Sequence, residues 1–156
     1  MTLLSPVRRQ YTCFLLCLQL PKMWQQNPRS LKNVTHVLNV ATYVKNYFEG
    51  RIKYINMRIN DYTDVAILPC FPNAFKFIDE GRVAGCVLVH CNAGVSRAAA
   101  ICIGYVMRTE GMSFQDAFKH VKSKRPKIDP NAGFIHQLER VYTQTLKEEN
   151  VEIKRK

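Results

Sequence analysis

Residues 87–97 read Val-Leu-Val-His-Cys-Asn-Ala-Gly-Val-Ser-Arg, and the fold follows from how this stretch is read. Val87, Leu88 and Val89 are a short apolar run of the kind that makes a buried strand, ending at His90. Cys91 to Arg97 then reads as a loop, and residues 98–107, AAAICIGYVM, are an apolar run of good helix formers. A strand, a glycine-containing loop and a helix start together form an anion cradle. The amides of Asn92, Ala93, Gly94, Val95, Ser96 and Arg97 point into one concavity, and the first-turn donors of the helix have no partner of their own. Gly94 supplies the positive φ that such a loop requires. Arg97 adds a planar fork matched to two phosphate oxygens. Cys91, at the foot of this positive potential, is expected to be a thiolate, which places a nucleophile under a bound phosphoryl group.

The spacing Cys-x5-Arg is weak evidence alone, because Cys102 and Arg108 repeat it inside the following helical run. That second match has no strand before it, and its Gly104 lies within the helix pattern, so it is read as coincidence. Only the first match has strand, His, Cys, Gly and Arg in order.

Working outward, residues 34–40 (VTHVLNV) are rich in β-branched and apolar residues and predict a central strand, in which His36 is given no chemistry. Residues 52–59 (IKYINMRI) alternate with period two and predict a strand with one wetter face. Ile67, Phe71, Ala74, Phe75 and Ile78 then recur as a helix stripe, and Pro72 confines the helix start to the region of Pro69. Residues 60–65 fall in the loop before that helix, and residues 81–85 read as a basic turn. Downstream, Ser113 and Asp116 resemble a capping pair ahead of a helix burying Phe114, Ala117, Phe118 and Val121. A Pro-punctuated loop, RPKIDPN, leads to Asn131 as the cap of a last helix with the stripe Phe134, Leu138, Val141 and Tyr142. Strands alternating with helices predict an α/β domain with a mainly parallel central sheet flanked by helices, and an anion site at the carboxyl end of a strand.

At 156 residues and 18.0 kDa the chain is expected to be one domain with a single substantial core. Residues 28–146 are assigned to it, with 1–27 as an N-terminal extension and 147–156 as a charged, frayed tail. Residues 1–20 imitate the charged and apolar regions of a signal peptide, but no small-residue cleavage site follows and the apolar run is too short to span a bilayer. The six cysteines show no framework spacing, and for several of them a buried free thiol is the plain reading. A reactive thiolate needs a reducing compartment, so the cytoplasm or nucleus is the expected location. No Cys/His cluster suggests zinc. The net charge of +11 is uneven: residues 1–60 hold nine Lys/Arg against the single acid Glu49. A solvated basic surface is the plain reading, and it helps to gather acidic substrates. Basic residues are not interleaved with aromatics, so no nucleic-acid partner is expected.

The run His90-Cys91-Asn92-Ala93-Gly94-Val95-Ser96-Arg97 resembles the signature of the cysteine-dependent protein tyrosine phosphatase superfamily, in particular its atypical dual-specificity members. The similarity extends from about residue 35 to about residue 138. It implies the dual-specificity type of the phosphatase fold and metal-independent hydrolysis of phosphotyrosine and phosphoserine/threonine in protein substrates. Kinases of a mitogen-activated cascade are the partners it suggests, and no cofactor is called for. The leaving oxygen must be protonated by a carboxylic acid facing the cradle, and both Asp61 and Asp64 lie in the preceding loop. In the family the general acid precedes the aromatic anchor of the next helix, here Phe71, by ten residues, and that register selects Asp61 over Asp64. The resemblance also implies a hydrogen-bonding role for His90 in lowering the cysteine pKa, with a buried structural histidine as the plain alternative, and a support loop in the run Pro130, Asn131, Gly133 and Phe134; Ser96 either orients the loop or is merely small enough to fit. Asn131 is a supporting residue, not a catalytic one. One position departs: the residue after the loop arginine is usually Ser or Thr, and here it is Ala98, which bears on the second step of the reaction. The loop offers no lysine for extra phosphates, against a phosphoinositide or RNA phosphatase. A phosphoprotein-binding scaffold with weak turnover is the alternative.

Overall fold

The computed structural model describes residues 14–16 and 33–154. Four strands form one sheet: β1 (Phe14–Leu16), β2 (Val34–Asn39), β3 (Lys53–Asn56) and β4 (Cys86–His90), in the order β1-β4-β2-β3 with every pairing parallel. β2 and β4 are interior, so both of their faces must be apolar. Alternate residues serve two cores. Leu38, Val87 and Val89 face the helices, whereas Val37, Cys86 and Leu88 pack with Phe48, Ile52 and Tyr54 on the other side.

The helices are α1 (Phe71–Ala84), α2 (Arg97–Glu110), α3 (Phe114–Lys124), α4 (Ala132–His136) and α5 (Thr143–Lys154). A 3-10 turn (Leu68–Cys70) leads into α1, and a π-helical segment (Gln137–Tyr142) joins α4 to α5. The predicted stripe Ile67, Phe71, Ala74, Phe75 and Ile78 is buried throughout. Ser113 caps α3 by accepting from the Asp116 amide, as its sequence suggested. His36 is a core residue, edge-on to Phe77 with ring centroids 5.1 Å apart.

Several expectations are corrected. Within the stretch assigned to an N-terminal extension, residues 14–16 form an edge strand of the sheet: Phe14, Leu15 and Leu16 pair with Val87, Leu88 and Val89. The rest of residues 1–27 lies outside the described residues. Residues 81–85 are not a turn, since α1 continues to Ala84. A Cβ on Gly81 would lie 2.4 Å from a Val87 methyl and 2.8 Å from His36, so glycine there lets the helix settle on the sheet rather than end. β3 is four residues long, not eight. The Met57 amide still bonds to the Asn39 carbonyl, but the chain then turns away and delivers the Ile59 carbonyl to Arg97. Val141 leaves the last helical stripe and is exposed, because the wider π-helical turn aligns Leu138 with Tyr142. The C-terminal tail is helical as far as Lys154, helped by a Gln144–Glu148 bond one turn apart. Cys70 and Cys102 are free thiols, but Cys86 is disulfide-bonded. No helix among the described residues is long and apolar enough to cross a membrane.

Candidate active site

β4 is buried along its whole length and ends at His90, so the chain emerges at the carboxyl edge of the sheet with Cys91 as the first loop residue. Cys91 is itself buried, at 1% exposure. Gly94 takes φ 70°, the left-handed turn that the loop needs to bring its amides round. α2 begins at Arg97 with no side-chain cap and no acidic residue in its first turn. Its Ncap residue Ser96 has its hydroxyl committed elsewhere, so the first-turn amides remain available to an anion.

Arg97 is buried and held from three sides. Nη1 donates to the Ile59 carbonyl at 2.9 Å and more weakly to Thr42 Oγ1 at 3.4 Å, and Nη2 donates to Asn92 Oδ1 at 3.0 Å. Among the described residues Nε has no hydrogen-bond partner, and it lies 3.6 Å from Asp61 Oδ2. A buried guanidinium with one unsatisfied donor is a costly arrangement for stability alone and fits a site built for an anion.

The carboxylate of Asp61 belongs to this cluster and that of Asp64 does not. Ser96 Oγ donates to Asp61 Oδ1 at 2.6 Å, and Asn131 Nδ2 donates to the same oxygen at 2.8 Å. Among the described residues Asp64 makes no hydrogen bond to the loop; it is exposed. Ser96 does more than fit, since its oxygen also accepts the Asn131 amide at 3.0 Å. Asn131 likewise exceeds its capping role: Oδ1 caps α4 by accepting from Phe134, while the other end of the same amide holds Asp61.

His90 donates from Nδ1 to the Cys91 carbonyl at 3.2 Å. Burial pushes its pKa down to about 4, against the smaller opposing effect of that carbonyl. The ring is therefore neutral near pH 7 and ties down the start of the loop without lending it a charge. Cys102 lies mid-helix in α2 and is fully buried. Burial, and secondarily the Cys91 charge, raise its thiol pKa well above the ordinary value, so it is a core residue, as the absence of a strand before it implied. Ala98 is also fully buried, with no hydroxyl to offer.

Two contributors were not singled out from the sequence. Thr42 touches Arg97 from the loop after β2, and Arg125 Nε donates to the Gly94 carbonyl at 3.0 Å from the Pro-punctuated loop. Nothing local marks Thr42. Arg125 sits in the RPKIDPN stretch, whose place beside the cradle is a long-range fact, secured also by the Asp129 amide donating to the Val95 carbonyl.

The sequence profile of the dual specificity phosphatase catalytic domain matches residues 18–144. The chain belongs to this family. It is 50% identical over 106 residues to mouse dual specificity protein phosphatase 19, covering 67% of this chain and 48% of that protein. It is 43% identical over 108 residues to MAP kinase phosphatase with leucine-rich repeats protein 2 of Dictyostelium discoideum, covering 69% of this chain and 15% of that one. The matched region thus spans about half of the mouse relative's length and far less of the second. Among solved structures, the human tyrosine phosphatase-like serine/threonine/tyrosine-interacting protein superposes with a TM-score of 0.75 at 36% identity, over 85% of this chain and 93% of that chain. The dual-specificity fold expected from residues 90–97 is therefore the fold observed.

Proposed function

We propose that this chain is a cysteine-dependent protein phosphatase that hydrolyses phosphotyrosine and phosphoserine/threonine through a phosphocysteine intermediate. One observation carries the reading: Cys91 and Arg97 bound a single loop, and the carboxylate of Asp61 is tied to that loop through Ser96 and lies 3.6 Å from Arg97 Nε. Nucleophile, anion fork and acid thus share one small volume.

Cys91 Sγ attacks phosphorus as the bond to the leaving oxygen breaks, while Arg97 and the amides of residues 92–97 hold the three equatorial oxygens. Asp61 Oδ1 already accepts two hydrogen bonds, so Oδ2 is the oxygen that carries the proton to the departing alkoxide or phenoxide. The carboxylate then takes a proton from the water that attacks the phosphocysteine, and the sulfur leaves as thiolate. Arg97 and the backbone nest balance the phosphate charge, so no metal is assigned a step. Cys91 must remain reduced, and on that ground we place the active protein in the cytoplasm or nucleus, where a disulfide such as that of Cys86 is an exception. Similarity to a MAP kinase phosphatase supports substrates within a mitogen-activated cascade.

The test is turnover of an aryl phosphate with and without vanadate, beside Cys91→Ser. Activity that resists a chelator, is blocked by vanadate and is abolished by Cys91→Ser with phosphopeptide binding retained is expected. Activity surviving Cys91→Ser would overturn the mechanism. A second reading, a phosphoprotein-binding scaffold, is favoured by the buried Ala98 and by likeness to a relative named as an interacting protein. Phosphopeptide binding by the natural protein without turnover would establish it.

A further inference from the structure

The acid loop lies along the start of the last helical stretch, and the contacts run in register. Asn131 holds Asp61 and reaches the Tyr62 carbonyl at 3.4 Å. Gly133 packs directly against Thr63: a Cβ there would sit 1.9 Å from the Thr63 carbonyl oxygen and 2.6 Å from its carbon. Backbone cannot yield as a flexible side chain does, so only glycine permits this approach.

Gln137 completes the series with both ends of its amide. Oε1 accepts the Ile67 amide at 2.9 Å, and Nε2 donates to the Val65 carbonyl at 2.8 Å and the Gly133 carbonyl at 3.2 Å. These bonds stand in for a ladder that residues 65 and 67, outside any strand, would otherwise lack. Ile67 is fully buried, so its amide would be expensive to leave unpaired. Gln137 is also the first residue of the π-helical segment, and its own amide is shared between the Gly133 and Phe134 carbonyls. The widened turn therefore begins at the residue that grips the loop, and such insertions concentrate at functional positions.

We propose that Gln137 is a positioning residue for the general acid: its side-chain amide clamps the backbone of residues 65–67 and so fixes where the Asp61 carboxyl meets the leaving oxygen. The inference rests on the assignment of Asp61 as the acid. Among the described residues Gln137 makes no side-chain hydrogen bond to the cradle; it acts through the loop. Misplacing a catalytic group by an ångström costs about 100-fold in rate, so loosening one end of the loop, with Asn131 and Ser96 still holding the other, should cost roughly 10-fold.

The experiment compares kcat and KM for an alkyl phosphate or phosphothreonine peptide, whose leaving oxygen needs a proton, with those for an aryl phosphate bearing a nitrophenolate, which needs much less. Gln137→Ala should lower kcat by about 10-fold on the first and by a much smaller factor on the second, with KM nearly constant. Gln137→Glu keeps the acceptor for Ile67 but sets a carboxylate against two carbonyls. It should therefore behave like the alanine variant, although it is isosteric and fills the same space. Amide hydrogen exchange should quicken in residues 62–68 and stay unchanged in α2, a readout that stands even if turnover is too slow to measure. Equal losses on both substrates, or a Glu variant indistinguishable from the natural protein, would overturn the proposal. Asp61→Asn is measured alongside. If it discriminates between the leaving groups and Gln137→Ala does not, the positioning role fails alone; if neither does, the acid assignment fails with it.

Discussion

Ser96→Ala removes one hydroxyl and tests how the acid is held. In the folded protein Ser96 Oγ donates to Asp61 Oδ1 at 2.6 Å and accepts the Asn131 amide at 3.0 Å, so both partners lose a bond. A hydrogen bond to a charged group is worth about 1.5–3 kcal/mol, equivalent to roughly 10–150-fold in rate if it were all expressed in the chemical step. The upper figure is excluded by geometry, because Asn131 Nδ2 still holds the same oxygen at 2.8 Å. A loss of roughly 10-fold in kcat/KM is therefore expected on a substrate with a poor leaving group. The decisive assay is a double-mutant cycle with Asp61→Asn, following phenol release and recording unfolding midpoints for all four proteins. If Ser96 acts through Asp61, its removal should cost less than about 2-fold once the acid is gone, a coupling of at least about 1 kcal/mol. An equal penalty in both backgrounds would refute the reasoning and assign Ser96 to the shape of the cradle.

Asp61→Asn alone should reduce turnover by roughly 10²–10⁴-fold, less for good leaving groups; that pattern at Asp64→Asn instead would move the acid by three residues. Ala98→Ser should shrink a pre-steady-state burst of phenol by supplying a donor to the departing sulfur, and rapid-quench measurements should show both the burst in the natural protein and its decrease. Stability should fall with acid because His90, held down to about 4 by burial, titrates at its ordinary 6.5 when unfolded. Between those values the unfolded chain binds a proton that the folded chain does not, so the loss develops as pH drops from about 6.5 to about 4, reaching on the order of 3 kcal/mol, and flattens below. Urea unfolding across that range should show a shallower slope for His90→Asn; an unchanged slope would exclude His90 as the source.

How much was legible differs between the loop and its surroundings. Residues 87–97 were readable because strand, loop and helix start are contiguous, and local chemistry dictates each: β-branched packing, a positive φ at Gly94, and uncapped first-turn amides. The helix stripe from Ile67 to Ile78 was readable for the same reason, since its period is a property of neighbouring residues. Asp61 was chosen over Asp64 only through the family register, because both are ordinary loop carboxylates to any local criterion.

The sequence by itself determined the parallel α/β class and placed Cys91 and Arg97 at the two ends of one turn, because six intervening bonds of a constrained loop leave them nowhere else to go. Tertiary structure decided the rest. Whether Phe14–Leu16 becomes an edge strand depends on the exposed edge of β4, 73 residues further along the chain, and not on the propensity of three apolar residues. Whether Ser96 orients an acid or merely fits depends on Asp61 and Asn131, each 35 residues away and in opposite directions along the chain. The grip of Gln137 on residues 65–67 needs the helix to widen at one position, and a π-helical turn leaves little trace in composition. These are hydrogen bonds between distant segments, satisfied only once the core has brought the segments together, and no local pattern encodes them.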